Sequence, residues 1–174
     1  MPIVNFNTVT DGLDANARQR GHYIVNADPG DAGTWVPFGE GIWIQPLGFN
    51  VTSGGFTTLL KGLPGAILGV HYHVGIVRGY TFQGQWGYLE HDWTAGPGTF
   101  LQEPAGEAYT LVIRDDSPVP AIIYFDVQGG LIYLDKATDG SLAAHEDGFS
   151  ALEFCRAHHR QAGLDPASLD AMVR

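Results

Sequence analysis

Positive charge is scarce in this sequence: 9 Lys and Arg stand against 19 Asp and Glu, for a formal net charge of −10. So acidic a surface repels nucleic acids and anionic membranes, and no basic cluster offsets it, which excludes both as expected partners. Charge of either sign is low, at 16% of residues, a composition that suits an all-β domain better than a solvated helical one. Cys155 is the only cysteine, which excludes an internal disulfide and reads as a small buried hydrophobe in a helix. No apolar run reaches the roughly 18 residues of a membrane-spanning helix, and no charged segment followed by an apolar one marks the amino terminus. The expectation is a cytoplasmic, soluble protein.

What the sequence does contain is turns. Its 174 residues include 24 glycines and 10 prolines, and the length suits one domain with a sizeable core and an appended helix. Residues 1–34 are polar, with turn signals at Asp11-Gly12, Asn26-Ala27-Asp28-Pro29-Gly30 and Asp31-Ala32-Gly33, and read as an extended arm. From Trp35 to Leu134 short β-prone runs follow one another about every ten residues, bounded by glycine and proline, as in a sandwich or barrel. Within them, Pro37 and Pro46 are expected at strand edges or ends, and Gln83-Gly84-Gln85 as a hairpin turn. The barrel is assigned to residues 35–140. Residues 141–174 are assigned to a helical tail, with Phe149, Leu152, Cys155 and Ala162 on one face, Asp147 or Ser150 capping its start, and Gly163 its stop.

The chemistry centres on Gly65-Ala66-Ile67-Leu68-Gly69-Val70-His71-Tyr72-His73. In a strand, residues two apart share a face, so His71 and His73 project together, with Tyr72 opposite. Two imidazoles so held make half of a typical iron, zinc, copper or nickel site. They read equally as satisfied core histidines until other donors are found.

The spacing around that pair resembles a known family. Gly65, five residues, His71-x-His73 and the turn at Gly84 resemble the first cupin motif. Gly98, five residues, Pro104-x-Gly106 and Tyr109 resemble the second. The longer stretch from Gly41-Ile42-Trp43-Ile44-Gln45-Pro46-Leu47 through Tyr88-Leu89-Glu90-His91-Asp92-Trp93 to Pro104-Ala105-Gly106-Glu107 is similar to the 2,4'-dihydroxyacetophenone dioxygenase group of cupins. The resemblance implies a jelly-roll barrel with a mononuclear non-haem iron in its mouth. It also implies dioxygen-dependent cleavage of a carbon–carbon bond beside a ketone, with a small aromatic or diketone as substrate. Two departures stand out. Val77 and Arg78 occupy the places where the first motif usually has a glutamate, and Tyr109 stands where the second usually has a third histidine.

Further ligands must therefore come from neighbouring strands. Glu90 is the first candidate, as ligand and catalytic carboxylate, because it alternates with Trp86 and Tyr88 on an otherwise apolar run, where a buried carboxylate needs a partner. If it faces outward, His91 points inward and becomes a third imidazole. Tyr109 is open to three readings: a phenolate ligand, which favours ferric iron or copper(II), a hydrogen-bonding group off the metal, or simple filling of the barrel. Arg78 is a candidate for holding a substrate carboxylate or enolate, against a surface role. Trp43, Trp86 and Tyr88, with Phe82 and Phe100, would form an aromatic wall for the substrate. His158 and His159, adjacent on the helix, cannot both face one metal. Asp115-Asp116 reads as a solvated turn.

The leading expectation is a metal-dependent dioxygenase, iron first and zinc, nickel or copper after it, with a small-molecule substrate and dioxygen as partners. The alternatives are a non-oxidative metal enzyme (isomerase, hydratase or cyclase) and a small-molecule-binding cupin without catalysis. The arm and the edge strands favour a homodimer or homotetramer.

Overall fold

In the computed structural model, residues 23–135 and 140–174 are described. Residues 1–22 of the expected arm, including Asp11-Gly12 and His22, lie outside the described residues. Among the described residues, eleven strands run in the order β1 (Val36–Gly39), β2 (Ile42–Phe49), β3 (Phe56–Gly62), β4 (Ile67–His73), β5 (Val77–Gln83), β6 (Trp86–Tyr88), β7 (Phe100–Glu103), β8 (Ala108–Ile113), β9 (Ala121–Val127), β10 (Leu131–Asp135) and β11 (Ser141–Glu146). They form a six-stranded sheet, β1-β2-β3-β9-β5-β7, and a five-stranded sheet, β11-β10-β4-β8-β6. All strand pairs are antiparallel. This is the all-β jelly-roll expected from the resemblance. Ile44, Leu60, Leu111, Ile123, Phe125, Val127 and Leu131 belong to its buried core, as alternation on strands with one buried face requires.

Three features differ from expectation. Gly84 does not close a hairpin: β5 pairs with β7 and β9, whereas β6 pairs with β8. Its turn carries the chain from one sheet to the other. The residue has φ +75°, and a Cβ there would lie 2.4 Å from Ala121 Cα, so the crossing demands glycine. Pro46 lies inside β2, not at its end, beside a register shift between Pro46 and Gly48. β1 pairs β2 only at residues 42–44, so no ladder bond is lost at Pro46. The tail begins with a strand, since residues 141–146 form β11 on β10.

The helix that follows, α1 (Gly148–Ala162), has the expected ends. Asp147 accepts from the Phe149 and Ser150 amides at 3.0 and 2.8 Å, and Ser150 Oγ accepts from Asp147 N at 2.8 Å, a reciprocal cap. Gly163, at φ 72°, closes the other end. Leu152 and Cys155 are fully buried, and burial pushes the Cys155 thiol pKa up, so this is an inert packing residue. Ala162, expected on the same face, is exposed in the last turn. A 3₁₀ helix, Pro166–Met172, completes the tail and is tied to α1 by Arg156–Asp170 at 2.6 Å. The chain end then joins β2, with Arg174 N donating to Phe49 O at 2.8 Å. No helix among the described residues is long and apolar enough to cross a membrane.

Candidate metal centre and its cavity

β4 aims both histidines into the barrel by way of a register shift between Leu68 and His71, which inserts one extra residue against β8. Leu68, His71 and His73 consequently all line one cavity, although strict alternation would turn Leu68 away. His71 and His73 are 3% and 1% exposed, with rings stacked at 5.2 Å and 29°. His71 Nδ1 lies 2.9 Å from Gly69 O. A carbonyl can only accept, so Nδ1 carries the proton and Nε2 keeps its lone pair for a ligand. Burial lowers the pKa of His71, against the opposing effects of the Gly69 bond and the Glu90 charge. Burial, and then His71, take His73 down to about 4. Both rings are neutral at pH 7, the form that binds metal.

Across the barrel, β7 supplies Glu103. It pairs with Val77, and Val77 with Val127, both cavity residues, so Glu103 shares the inward face. It is 3% exposed, and its Oε2 lies 3.6 Å from His73 Nδ1. Neither Glu103 oxygen nor that nitrogen has a hydrogen-bond partner. Burial raises the Glu103 pKa to about 7; the Tyr88 hydroxyl offsets this in part and the Glu107 charge adds to it. Tyr88 thus bears on the carboxyl without making a well-formed bond to it. Its own pKa is raised well above the usual phenol value by burial first and Glu103 second.

The remaining expected site residues divide sharply. Tyr88 lines the cavity and stacks on Tyr109 at 4.6 Å and 13°. Tyr109 is buried opposite His71 in register; its ring meets His73 edge-on at 5.5 Å. Trp86 is fully buried, donates to Thr81 Oγ1 at 2.8 Å, and packs behind Tyr88 without lining the cavity.

Other placements differ from expectation. Glu90 sits in the turn after β6, exposed, with its oxygens accepting from Thr110 N and Thr110 Oγ1, each at 2.8 Å. β6 ends at Tyr88, so the alternation that placed Glu90 inward stops two residues short of it. His91 is also exposed and stacks on Trp93; neither residue lines the cavity. Arg78 lies on the outer face of β5, bonded to Gln102 and Asp126 at 3.2 and 3.4 Å. Trp43 is on the outer face of β2, beneath the Lys61 ammonium at 5.1 Å. Phe82 and Phe100 are 57% and 62% exposed, so the expected aromatic wall reduces to Tyr88 with the aliphatic and phenylalanine side chains around it.

Sequence reasoning missed Glu103, although it lies two residues after the partly buried Leu101. It also missed Tyr133 and Glu146 on the opposite wall, both of which line the cavity. The remaining lining includes Ile44, Phe56, Leu60, Leu111, Phe125 and Leu131. About 40 Å³ is open to the centres of water-sized spheres, room for about three waters or one small ligand. By chemical type the donors suit a metal: two neutral imidazoles and one buried carboxyl without well-formed hydrogen bonds, groups that are costly to bury unless something binds them. Among the described residues, no three such side chains already converge on one point.

A family model described as the ChrR cupin-like domain matches residues 21–126. An RmlC-like cupin protein from Ralstonia eutropha JMP134 is 28% identical, with 82% of this chain and 92% of that one covered and a TM-score of 0.71. An acetylacetone dioxygenase from Acinetobacter johnsonii has 19% identity, covers 80% and 96%, and gives a TM-score of 0.67. A putative acetylacetone dioxygenase from Methylibium petroleiphilum PM1 has 20% identity, covers 77% and 96%, and gives 0.62. No curated protein sequence matches this chain.

Proposed function

The chain belongs to the ChrR cupin-like domain family, and on that premise we propose that it is a metal-dependent cupin dioxygenase. It cleaves a carbon–carbon bond beside a ketone in a small diketone or aromatic ketone. The observation that carries this reading is the buried His71–His73 pair on an apolar cavity, with the carboxyl of Glu103, neither oxygen of which has a well-formed hydrogen bond, 3.6 Å from His73. The likeness in fold to the Acinetobacter johnsonii acetylacetone dioxygenase supports the same reaction class.

His71, His73 and Glu103 are the residues that would hold the metal. With bonds of about 2.0–2.2 Å, two donors on one ion lie within about 4 Å of each other. The 3.6 Å between His73 and Glu103 is inside that limit and too long for a hydrogen bond. A metal so held supplies Lewis acidity toward ketone oxygens and, as iron, the electron chemistry that dioxygen requires. The chain's own residues do the rest. Gly69 fixes the His71 tautomer. The wall of Ile44, Leu60, Leu111 and Phe125 keeps water from the reacting carbon, and Tyr88, braced by Tyr109 and Trp86, gives a rigid flat surface for a planar enol.

The test is elemental analysis of protein loaded with ferrous iron under anaerobic conditions, followed by oxygen uptake with pentane-2,4-dione and with 2,4'-dihydroxyacetophenone. The reading expects near-stoichiometric iron, lost with His71→Ala and His73→Ala together, and ketone-dependent oxygen consumption. Tight zinc with no oxygen use would replace it with the non-oxidative reading. No metal above background would overturn both enzyme readings in favour of ligand binding alone.

A further inference from the structure

The cavity has a second acidic wall that the metal ligands leave unused. β11 ends in Glu146, which is 3% exposed and lines the same cavity as the histidines. The register explains why it faces inward. Glu146 pairs with Leu131 and Leu131 with His73, so the three form one row across β11, β10 and β4. Two strand spacings separate its ends, roughly 10 Å of sheet, about the span of a small ligand. In the adjacent row Tyr133 pairs with His71, its ring 5.7 Å from the imidazole. The Tyr133 hydroxyl donates to Glu146 Oε2 at 2.8 Å. The backbone beneath is fixed too, because the next residue, Asp147, caps α1. A carboxyl held this firmly in an apolar wall costs several kcal/mol to bury.

We propose that Glu146 is the proton acceptor for the ketone substrate and that Tyr133 is the residue that positions it. The inference rests on the enzymatic reading of the cavity. The Glu146 carboxylate takes the proton from the carbon next to the carbonyl, breaking C–H and forming O–H. The electron pair released becomes the carbon–carbon double bond of the enolate, and the carbonyl oxygen takes the negative charge. No oxidant enters this step. His71, His73 and Glu103 are committed to the metal, so Glu146 is the remaining base on the cavity wall among the described residues.

Deuterium wash-in at the methylene carbon of 2,4'-dihydroxyacetophenone, followed by NMR with oxygen excluded and the protein metal-loaded, isolates this step from cleavage. Glu146→Gln is expected to slow exchange at least about 100-fold, the scale of a lost general base, with metal content unchanged and the melting temperature not lowered. Tyr133→Phe keeps the base but frees it, and is expected to lower the maximal exchange rate about tenfold while leaving KM unchanged. Exchange at the wild-type rate in Glu146→Gln would overturn the assignment. Should that variant not fold, a wild-type rate in Tyr133→Phe overturns it instead. If the metal-loaded wild type itself exchanges no deuterium yet cleaves the ketone, Glu146 is not the base while the proposed function survives; if it does neither, both fall together.

Discussion

Glu90 and Glu103 stand 13 residues apart in the chain and end in opposite conditions. Glu90 lies at the surface with both oxygens satisfied by Thr110. Glu103 is sealed inside the barrel with neither oxygen satisfied. The first ties a turn to β8. The second carries a desolvation cost that the Tyr88 hydroxyl relieves only in part. Satisfaction, and not residue type, separates the structural carboxylate from the chemical one in this pair.

The largest effect that sharpens this contrast is pH-dependent. Burial raises the Glu146 pKa to about 7, against the opposing Tyr133 hydrogen bond. A raised carboxyl pKa means that its contribution is fully present below the ordinary value near 4.5 and is lost as pH rises through 7. Metal-free wild type is therefore expected to lose, relative to Glu146→Gln, of order 3 kcal/mol between pH 4 and pH 8, measured by urea unfolding at each pH. Equal slopes in the two proteins would show that the carboxyl is not held in an apolar wall.

Next comes the metal. Glu103→Gln is expected to weaken metal binding about 10- to 100-fold in a chelator competition, while Glu90→Gln leaves it within about twofold. The reverse order would restore Glu90 as the ligand. Tyr109→His is expected to tighten binding by about tenfold, since it offers an imidazole where the phenol ring now packs on His73 and Tyr88. Smaller still, Glu90→Gln is expected to cost about 1 kcal/mol of stability through its bonds to Thr110, read as a lower urea midpoint. Arg78→Ala, which breaks a half-exposed pair with Asp126, should cost no more than about 0.5 kcal/mol and leave ketone-dependent oxygen uptake unchanged.

Much of the fold was legible because it is written in local signals. The alternating strands, the paired histidines two apart, the Asp147 cap and the Gly163 stop each depend on neighbours within a few residues. What escaped depends on partners far along the chain. β6 has three residues, and nothing in Trp86-Gly87-Tyr88-Leu89-Glu90 announces that pairing with β8 ceases at Tyr88, so the inward parity was carried two residues too far. Glu103 and Glu146 face inward because Val77 and Leu131 do. Ser141-Leu142-Ala143-Ala144-His145-Glu146 contains no β-branched or aromatic residue and lies before a strong helix cap. Its strand is imposed by β10, which overrides local propensity. Gly84 was rightly a turn, but whether a turn folds back or crosses between sheets is decided by the strands on either side.

The most direct test of the central claim is a crystal structure of the iron- or zinc-loaded protein with the metal located by anomalous scattering. One ion is expected at coordination distance from His71, His73 and Glu103, with Glu90 still on Thr110 and Glu146 on the opposite wall. An ion held by Glu90, His91 or Tyr109 in place of Glu103, or no ion between the two histidines, would contradict it.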